Sequence, residues 1–132
     1  MSDPQGMNGA GAFFAGNQHN DVLFAKPDGA EAVARLVEEL KRRGNAAVKF
    51  ESFPEAEALY SKAIEHDSKN VALYGNRAMV RGSMGRFKEA LEDAEAAIAV
   101  NPEWVKGYYR KATSLAGLKR FDEAKAAFEE VL

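Results

Sequence analysis

The sequence predicts an all-α fold built from repeated helical hairpins, because one pattern recurs with a fixed period of 34 in the residue numbering. Three phenylalanines are separated by this period and each is followed three residues later by an alanine; the pairs are Phe53 and Ala56, Phe87 and Ala90, and Phe121 and Ala124. A fixed period of roughly 20 to 50 residues is typical of proteins whose single unit cannot bury its apolar face and therefore stacks on copies of itself. We expect an α-solenoid whose function lies on the groove that such stacks form.

Residues 1–27 are predicted to be a glycine-rich leader that precedes the repeats. Glycine alternates there with Asn, Gln and Asp, and no helical period is present. The glycine spacing suggests a phosphate-binding loop, but no strand precedes it and no Gly-Lys-Ser/Thr follows, which argues against a nucleotide site. Several apolar residues keep a partly docked leader open as an alternative to a flexible one; they are Phe13, Phe14, Val22, Leu23 and Phe24.

The repeat domain is predicted to span residues 28–132, with its first helix beginning near Pro27-Asp28-Gly29 and ending at about Phe50. Asp28 can accept hydrogen bonds from the first backbone amides of this helix, and Glu31, three residues later, gives the spacing of a capping box. The sequence therefore predicts a helix whose start is fixed by the side chain of Asp28.

Three units are predicted within this domain, each consisting of a helix A, a short turn and a helix B; they are residues 37–70, 71–104 and the incomplete 105–132. Pro54 suits the first turn of a helix B, and Pro102 follows the next one, where proline cannot continue a helix. Helices can cross closely only where neither presents a bulky side chain. We expect such crossings at the recurring small residues of helix A, which are Gly44, Ala78 and Ala112.

Composition excludes several classes of function. The chain has 132 residues, 46% of them hydrophobic, with no cysteine and only two histidines, His19 and His66. Disulfides, thiolate metal sites and histidine-based catalysis are therefore unexpected, and no nucleophile and base pair is evident, so we expect no cofactor, no metal and no enzymatic activity. The sequence has neither the run of about 18 apolar residues that a membrane span needs nor a signal peptide, which favours the cytoplasm.

Charge is segregated between the two kinds of helix. The net charge is −2, yet the predicted helices A carry +7 in total and the predicted helices B carry −9. A domain with a pI near 5.7 is a poor candidate for binding nucleic acid. A basic face within an acidic chain instead predicts an anionic ligand.

Five residues of the helices A form the candidate binding site. Lys41 and Asn45 stand four residues apart, as do Lys106 and Arg110, so each pair shares one helix face. Asn76 precedes Arg110 by one full period and therefore has the equivalent repeat position. Two ammonium groups, one planar guanidinium and two amides suit a ligand that carries closely spaced carboxylates on an extended peptide.

The pattern of small residues, helix B alanine, aromatic residue and terminal proline resembles the tetratricopeptide repeat (TPR) family across residues 37–132. This resemblance implies a right-handed solenoid of three helix-turn-helix units whose helices A line the concave surface, which would make that groove basic. The chain departs from the family at one helix A position that usually holds leucine; this position is occupied by Arg43, Arg77 and Lys111.

Three segments resemble the carboxylate-clamp co-chaperones of this family: Lys41-Arg42-Arg43-Gly44-Asn45, Tyr74-Gly75-Asn76-Arg77, and Val105-Lys106-Gly107-Tyr108-Tyr109-Arg110-Lys111. The third repeat is similar to those of the heat-shock organising protein and the TPR-bearing serine/threonine phosphatase. The resemblance implies a ligand, the C-terminal Glu-Glu-Val-Asp tail of the seventy- or ninety-kilodalton heat-shock chaperones. It also implies that Arg110 meets the upstream part of this tail, while the terminal aspartate is held by Lys41, Asn45, Asn76 and Lys106.

Two other functions remain open from the sequence. A structural TPR scaffold could bind a partner helix or an internal peptide without reading a C-terminal carboxylate. Alternatively, the chain could be the targeting domain of a longer enzyme, such as a phosphatase or a ubiquitin ligase. Three large aromatic residues near the unit boundaries are predicted to serve packing; they are Trp104, Tyr74 and Tyr108.

Overall fold

The structure is a computed structural model that describes residues 18–131. Within that range the chain forms helices and no strand; the helices are α1 (Asn20–Leu23), α2 (Ala30–Lys49), α3 (Phe53–His66), α4 (Val71–Ser83), α5 (Phe87–Val100), α6 (Val105–Gly117) and α7 (Phe121–Glu129). The predicted all-α repeat fold is confirmed. Over the same residues, no helix is long and apolar enough to span a bilayer.

The chain divides into two compact units, Met1–His66 and Asp67–Leu132, called unit 1 and unit 2 below. In unit 1, α2 and α3 form a hairpin, and the short helix α1 packs on α2. In unit 2, α4 packs on α5 and α6 packs on α7, while α6 also contacts both α4 and α5. Unit 1 therefore contains one helical hairpin, and unit 2 contains two packed hairpins.

The predicted small residues lie where helices of one hairpin meet. Ala56 and Ala90 are fully buried, and Ala78 and Ala112 are at most 3% exposed. At Gly44, a methyl group would lie 2.6 Å from a ring carbon of Tyr60, a distance that real side chains do not tolerate. The sequence prediction of a close helix crossing is confirmed at Gly44, and the burial of the alanines agrees with the same prediction.

The turn between the two helices of each hairpin uses one left-handed residue. Glu51, Gly85 and Lys119 occupy equivalent repeat positions and have φ values of 58°, 79° and 64°. After each of them the next amide reaches back to a carbonyl of the preceding helix, as in Ser52 N–H to Ala47 at 2.8 Å. This is the six-to-one bond of a Schellman motif, which satisfies a carbonyl that the ending helix would leave unpaired.

The start of α2 differs from the prediction. The residue that caps it is Gly29, with φ of 94°, and no side chain donates or accepts a capping hydrogen bond there. Asp28 lies one residue outside the position that could cap the helix, so the predicted capping box with Glu31 is wrong. The predicted end near Phe50 agrees with the structure, since α2 ends at Lys49.

Residues 1–17 of the predicted leader lie outside the described part of the chain, and residues 18–27 contain the helix α1. Phe13 and Phe14 are therefore not placed. Val22 is 6% exposed, and Phe24 is 74% exposed. The part of the leader that follows residue 17 thus buries one apolar side chain within unit 1.

Aromatic residues of unit 2 pack as predicted. The Trp104 ring lies so close to Gly75 that a methyl group there would be 2.5 Å from a ring carbon. The Tyr74 hydroxyl donates to the Ser68 carbonyl at 3.0 Å, and the Tyr108 hydroxyl donates to the Pro102 carbonyl at 2.8 Å. These two hydrogen bonds join equivalent repeat positions, which supports a structural role for both tyrosines.

Candidate functional site

The first part of the candidate site belongs to unit 2. Helix α6 carries Lys106 and Arg110 one turn apart, and α4 carries Asn76 at the position equivalent to Arg110. Helices α4 and α6 pack against each other. Lys106 is exposed, and Asn76 and Arg110 are half-buried. The structure therefore gives these three side chains access to solvent on two neighbouring helices of one unit.

Arg110 differs from every other arginine of the chain in its electrostatic pairing. Seven of the eight arginines form an ion pair with a carboxylate; they are Arg35, Arg42, Arg43, Arg77, Arg81, Arg86 and Arg120. Arg110 has no carboxylate partner among residues 18–131 and instead lies over the Tyr109 ring, 5.4 Å from its centroid. Its guanidinium fork is thus open to an external acceptor.

Lys106 and Asn76 are also unengaged within the described part of the chain. Neither side chain forms an ion pair or a hydrogen bond with another residue in the range 18–131. An ammonium and a guanidinium one helical turn apart, with no compensating carboxylate, create a local positive potential. This arrangement favours a ligand with one or two carboxylate groups.

A cavity of about 280 Å³ lies beside Arg110 in unit 2. It is lined by apolar and hydroxyl-bearing side chains, including Met79, Phe87, Tyr109 and Thr113. A cavity of this size can accept one apolar side chain, because a leucine or methionine occupies well under this volume. The combination suits a peptide that carries an apolar side chain near a carboxylate.

The second part of the candidate site belongs to unit 1, and its residues are already engaged. The Lys41 ammonium lies 3.7 Å from a carboxylate oxygen of Glu38. The Asn45 side-chain oxygen accepts a hydrogen bond from the Tyr60 hydroxyl at 2.5 Å. Lys41 and Asn45 line one surface depression along α2. The hydrogen bond with Tyr60 uses the side-chain oxygen of Asn45, so the two N–H donors of its amide remain available to other acceptors.

The two arginines that follow Lys41 on α2 are paired with carboxylates of unit 1. Glu39 accepts hydrogen bonds from Arg42 and Arg43, which lower the pKa of its carboxyl to about 2. The hydrogen bonds from Arg43 also hold the pKa of Asp21 below its usual value. Burial raises the pKa of Tyr60 to about 12, so its hydroxyl keeps the proton that it donates to Asn45. Lys41, which lies 3.7 Å from one carboxylate oxygen, is therefore the predicted site cation of α2 that remains for a ligand.

Sequence reasoning predicted the faces that these side chains share, but it missed their partners. Each predicted pair lies on one helix face, and the two pairs belong to different units. The contact between Asn45 and Tyr60 had no sequence signal. A buried cluster in unit 2 was also missed, in which the Asp93 carboxylate, 2% exposed, accepts from Arg77 and Arg81 at 2.7 to 2.9 Å. The sequence signal for this cluster was Asp93 itself, an acidic residue on an otherwise apolar face of α5.

Within residues 18–131, no three histidine, aspartate or glutamate side chains come together in a group that could hold a metal ion. Helical hairpins whose equivalent residues recur at one fixed period place the chain in the class of helical repeat proteins.

Comparison with known proteins identifies the family. The family model for the tetratricopeptide repeat matches residues 71–103 and 105–132. Solved TPR domains match a larger part of the chain and are more than 30% identical to it. The chain belongs to the tetratricopeptide repeat family.

Two curated relatives illustrate the range of proteins that contain a similar domain. The "Heat shock protein sti1 homolog" of Schizosaccharomyces pombe is 38% identical over 97 residues, which are 74% of this chain and 16% of that protein. The "E3 ubiquitin-protein ligase TTC3" of Mus musculus is 41% identical over 88 residues, which are 67% of this chain and 4% of that protein. The chain thus spans about a sixth of the length of the first relative and far less of the second.

Two solved TPR domains of the RPAP3 protein are similar in structure. The second TPR domain of human RPAP3, in complex with the HSP70 peptide SGPTIEEVD, has a TM-score of 0.73 and 31% identity, covering 76% of this chain and 83% of that domain. The first TPR domain of Spaghetti (RPAP3), bound to the HSP90 peptide SRMEEVD, has a TM-score of 0.71 and 32% identity, covering 73% and 76%. Both of these peptides end in Glu-Glu-Val-Asp.

Proposed function

We propose that this chain is a co-chaperone-type module that binds the C-terminal Glu-Glu-Val-Asp tail of heat-shock chaperones through a carboxylate clamp. In this proposal Arg110 binds the upstream part of the tail. The terminal aspartate is bound by Lys41, Asn45, Asn76 and Lys106. Support comes from the peptides named for the two similar RPAP3 domains and from the similarity to the sti1 homolog.

The observation that carries the proposal is that Arg110 has no carboxylate partner among the described residues. Every other arginine is neutralised by a carboxylate of the chain itself, whereas Arg110 and its neighbour Lys106 have none among the described residues. An arginine kept free of internal partners can form a bidentate pair with a carboxylate of a ligand. The cavity beside it supplies space for an apolar side chain next to that carboxylate.

The site chemistry fits a chain terminus better than an internal segment. A C-terminal aspartate carries two carboxylates close together, and each can accept hydrogen bonds from an ammonium or an amide. Asn76 can donate to backbone carbonyls of an extended peptide as well as to a carboxylate. A hydrogen bond to a charged group contributes about 1.5 to 3 kcal/mol, so a few such bonds supply most of the affinity of a short peptide.

Calorimetry with a Glu-Glu-Val-Asp peptide tests the proposal. Arg110→Ala should weaken binding roughly 10- to 150-fold, because it removes one charge-assisted contact. Arg120→Ala is the matched control, since Arg120 is an exposed arginine of the same unit that pairs with Glu123 at 2.7 Å. It should leave affinity within about twofold. Equal effects of the two substitutions would refute the assignment.

Amidating the end of the peptide separates the clamp from a scaffold function. A clamp should lose most of its affinity, because the terminal carboxylate is the group that it binds. A scaffold that packs a helix or an internal segment would bind the free and the amidated peptide equally. The second result would contradict the clamp and favour the scaffold.

A second candidate is that this chain is the targeting domain of a longer enzyme. The match to a protein named as an E3 ubiquitin ligase favours it. In that case the chain would bring the enzyme to chaperone tails in the cytoplasm and would itself catalyse nothing. The sequence of the full-length product decides between this role and that of a co-chaperone without a catalytic domain.

A further inference from the structure

Arg43 of unit 1 receives one of its two carboxylate partners, Asp21, from outside the α2–α3 hairpin. Its Nη1 and Nη2 donate to the two oxygens of Asp21, each at 2.9 Å. Asp21 lies in residues 18–24, which we call the N-terminal segment. His19 of this segment contacts the Glu55 carboxylate of α3 through Nε2, and Val22 is 6% exposed. The segment therefore touches both helices of the hairpin.

In unit 2 the equivalent arginine pairs with a carboxylate of its own hairpin. Arg77, which follows Arg43 by one repeat period, donates from Nε and Nη2 to Asp93 of α5 at 2.9 and 2.7 Å. The residue one period before Asp93 is Leu59, which is fully buried in α3 and cannot accept a hydrogen bond. Unit 1 thus has the arginine of this pair without the aspartate, and Asp21 takes over the role of the missing carboxylate.

Loss of Asp21 would leave Arg43 poorly compensated. The Arg43 side chain is 22% exposed, and its other acidic partner, Glu39, also accepts two hydrogen bonds from Arg42. A guanidinium that is largely removed from water destabilises its surroundings unless it is paired. When Asp21 is lost, we expect α2 to shift so that Arg43 reaches solvent.

Such a shift would move the unit 1 half of the binding site. Lys41 and Asn45 each lie two residues from Arg43 on α2. Asn45 is also held by the Tyr60 hydroxyl of α3, so its orientation depends on how α2 packs against α3. A change in that packing therefore changes the positions of a cation and an amide that the proposed clamp uses.

We propose that the N-terminal segment is a positioning element of the peptide site, which holds α2 against α3 when docked and loosens the Lys41 and Asn45 half when released. This inference rests on the proposed function. One buried valine, the contact of buried His19 with Glu55 and an ion pair whose aspartate is 64% exposed attach the segment, which is a small attachment compared with that of a whole helix. Local release at a modest free-energy cost follows, so the segment can regulate affinity.

The test replaces His19, Asp21 and Val22 in the full chain, as His19→Ala with Asp21→Asn and Val22→Ser, and measures hydrogen exchange and peptide affinity. Exchange of α2 amides should accelerate by about tenfold or more, while exchange in α4 to α7 stays unchanged. Affinity for a Glu-Glu-Val-Asp peptide should fall roughly 3- to 10-fold. Lys26→Gln, at an exposed residue just after the segment, is the control and should change neither quantity.

A rescue and a double-mutant cycle give the inference its specificity. Leu59→Asp restores to unit 1 the carboxylate that Asp93 supplies in unit 2, and it should return α2 exchange and affinity of the released variant toward wild type. Should Leu59→Asp not fold, Arg43→Leu replaces it, because a leucine needs no counter-charge. In that background Asp21→Asn should have no further effect. Full additivity of Arg43→Leu and Asp21→Asn would overturn the inference.

The outcomes separate this inference from the proposed function. Unchanged α2 exchange in the released variant means that the segment holds nothing, and the inference fails. Faster exchange with wild-type affinity means that the segment only stabilises unit 1, and the inference fails as well. A wild-type chain that binds no Glu-Glu-Val-Asp peptide refutes the proposed function itself, while the exchange data still report whether the segment restrains α2.

Discussion

The two parts of the candidate site were predicted from the same spacing argument, yet they differ in their internal pairing. In α6, Lys106 and Arg110 have no carboxylate partner within the described chain. In α2, Lys41 lies 3.7 Å from Glu38, and Asn45 accepts from Tyr60 at 2.5 Å. Spacing thus predicts which face a side chain occupies, whereas its neighbours decide how much free energy a ligand gains from it.

The largest expected effect concerns the two lysines. Lys106→Ala should weaken a Glu-Glu-Val-Asp peptide roughly 10- to 150-fold, because a free ammonium contributes its full charge-assisted hydrogen bond to the ligand. Lys41→Ala should have a clearly smaller effect, because a ligand carboxylate must displace or share the ammonium that Glu38 already contacts. Calorimetry of both variants at one salt concentration measures the difference.

Lys62→Ala is the control for these two substitutions. Lys62 is a half-buried lysine of α3 that pairs with Glu65 at 3.1 Å and belongs to no part of the candidate site. Its removal should leave affinity within about twofold. A loss at Lys41 that equals or exceeds the loss at Lys106 would show that pairing in the free protein does not set the contribution of a residue.

The fold was predictable to the extent that it depends on positions repeated along the chain. Buried alanines such as Ala56 and Ala90 and the close approach at Gly44 follow from the period, because a small residue is needed wherever two helices cross. The left-handed turn residues were not predicted. Among them only Gly85 carries the usual signal, while Glu51 and Lys119 have side chains that rarely adopt positive φ.

The candidate site was predictable in position and not in its pairing. The helical period placed Lys106 with Arg110 on one face, because that depends on backbone geometry alone. The hydrogen bond between Asn45 and Tyr60 depends on side-chain rotamers and on the packing of two helices, which no spacing encodes. The capping box at Asp28 failed for a related reason, since Gly29 with positive φ shifted the start of α2 past it.

A second, smaller effect is expected for Tyr60, whose hydroxyl holds the Asn45 side-chain amide in place in unit 1. Tyr60→Phe removes the hydroxyl that donates to Asn45 and leaves the ring, 1% exposed, packed against Gly44. The lost hydrogen bond should lower the free energy of unfolding by about 0.5 to 1.5 kcal/mol. Peptide affinity should fall as well, because the Asn45 amide loses its fixed orientation.

Urea unfolding and calorimetry measure the two effects of Tyr60→Phe. Tyr74→Phe is the control for affinity, since the Tyr74 hydroxyl also donates one hydrogen bond, to the Ser68 carbonyl at 3.0 Å, and belongs to no part of the candidate site. An increase in affinity on Tyr60→Phe would mean that Tyr60 competes with the ligand for Asn45. The pairing in unit 1 would then oppose binding rather than prepare for it.

The smallest expected effect comes from making unit 1 resemble unit 2. Glu38→Gln removes the carboxylate beside Lys41, so the ammonium no longer needs to be withdrawn from a partner when the ligand arrives. Glu38 is 72% exposed, and exposed ion pairs contribute at most about 1 kcal/mol, so affinity should rise by no more than about fivefold. The gain should shrink as salt is added, because solvent ions screen the same interaction. Glu31→Gln is the control, since it removes the same charge from α2 but its partner is Arg35, which belongs to neither part of the candidate site. A gain at Glu38 that exceeds the gain at Glu31 would attribute the effect to release of Lys41, whereas equal gains would reduce it to the general loss of negative charge along α2.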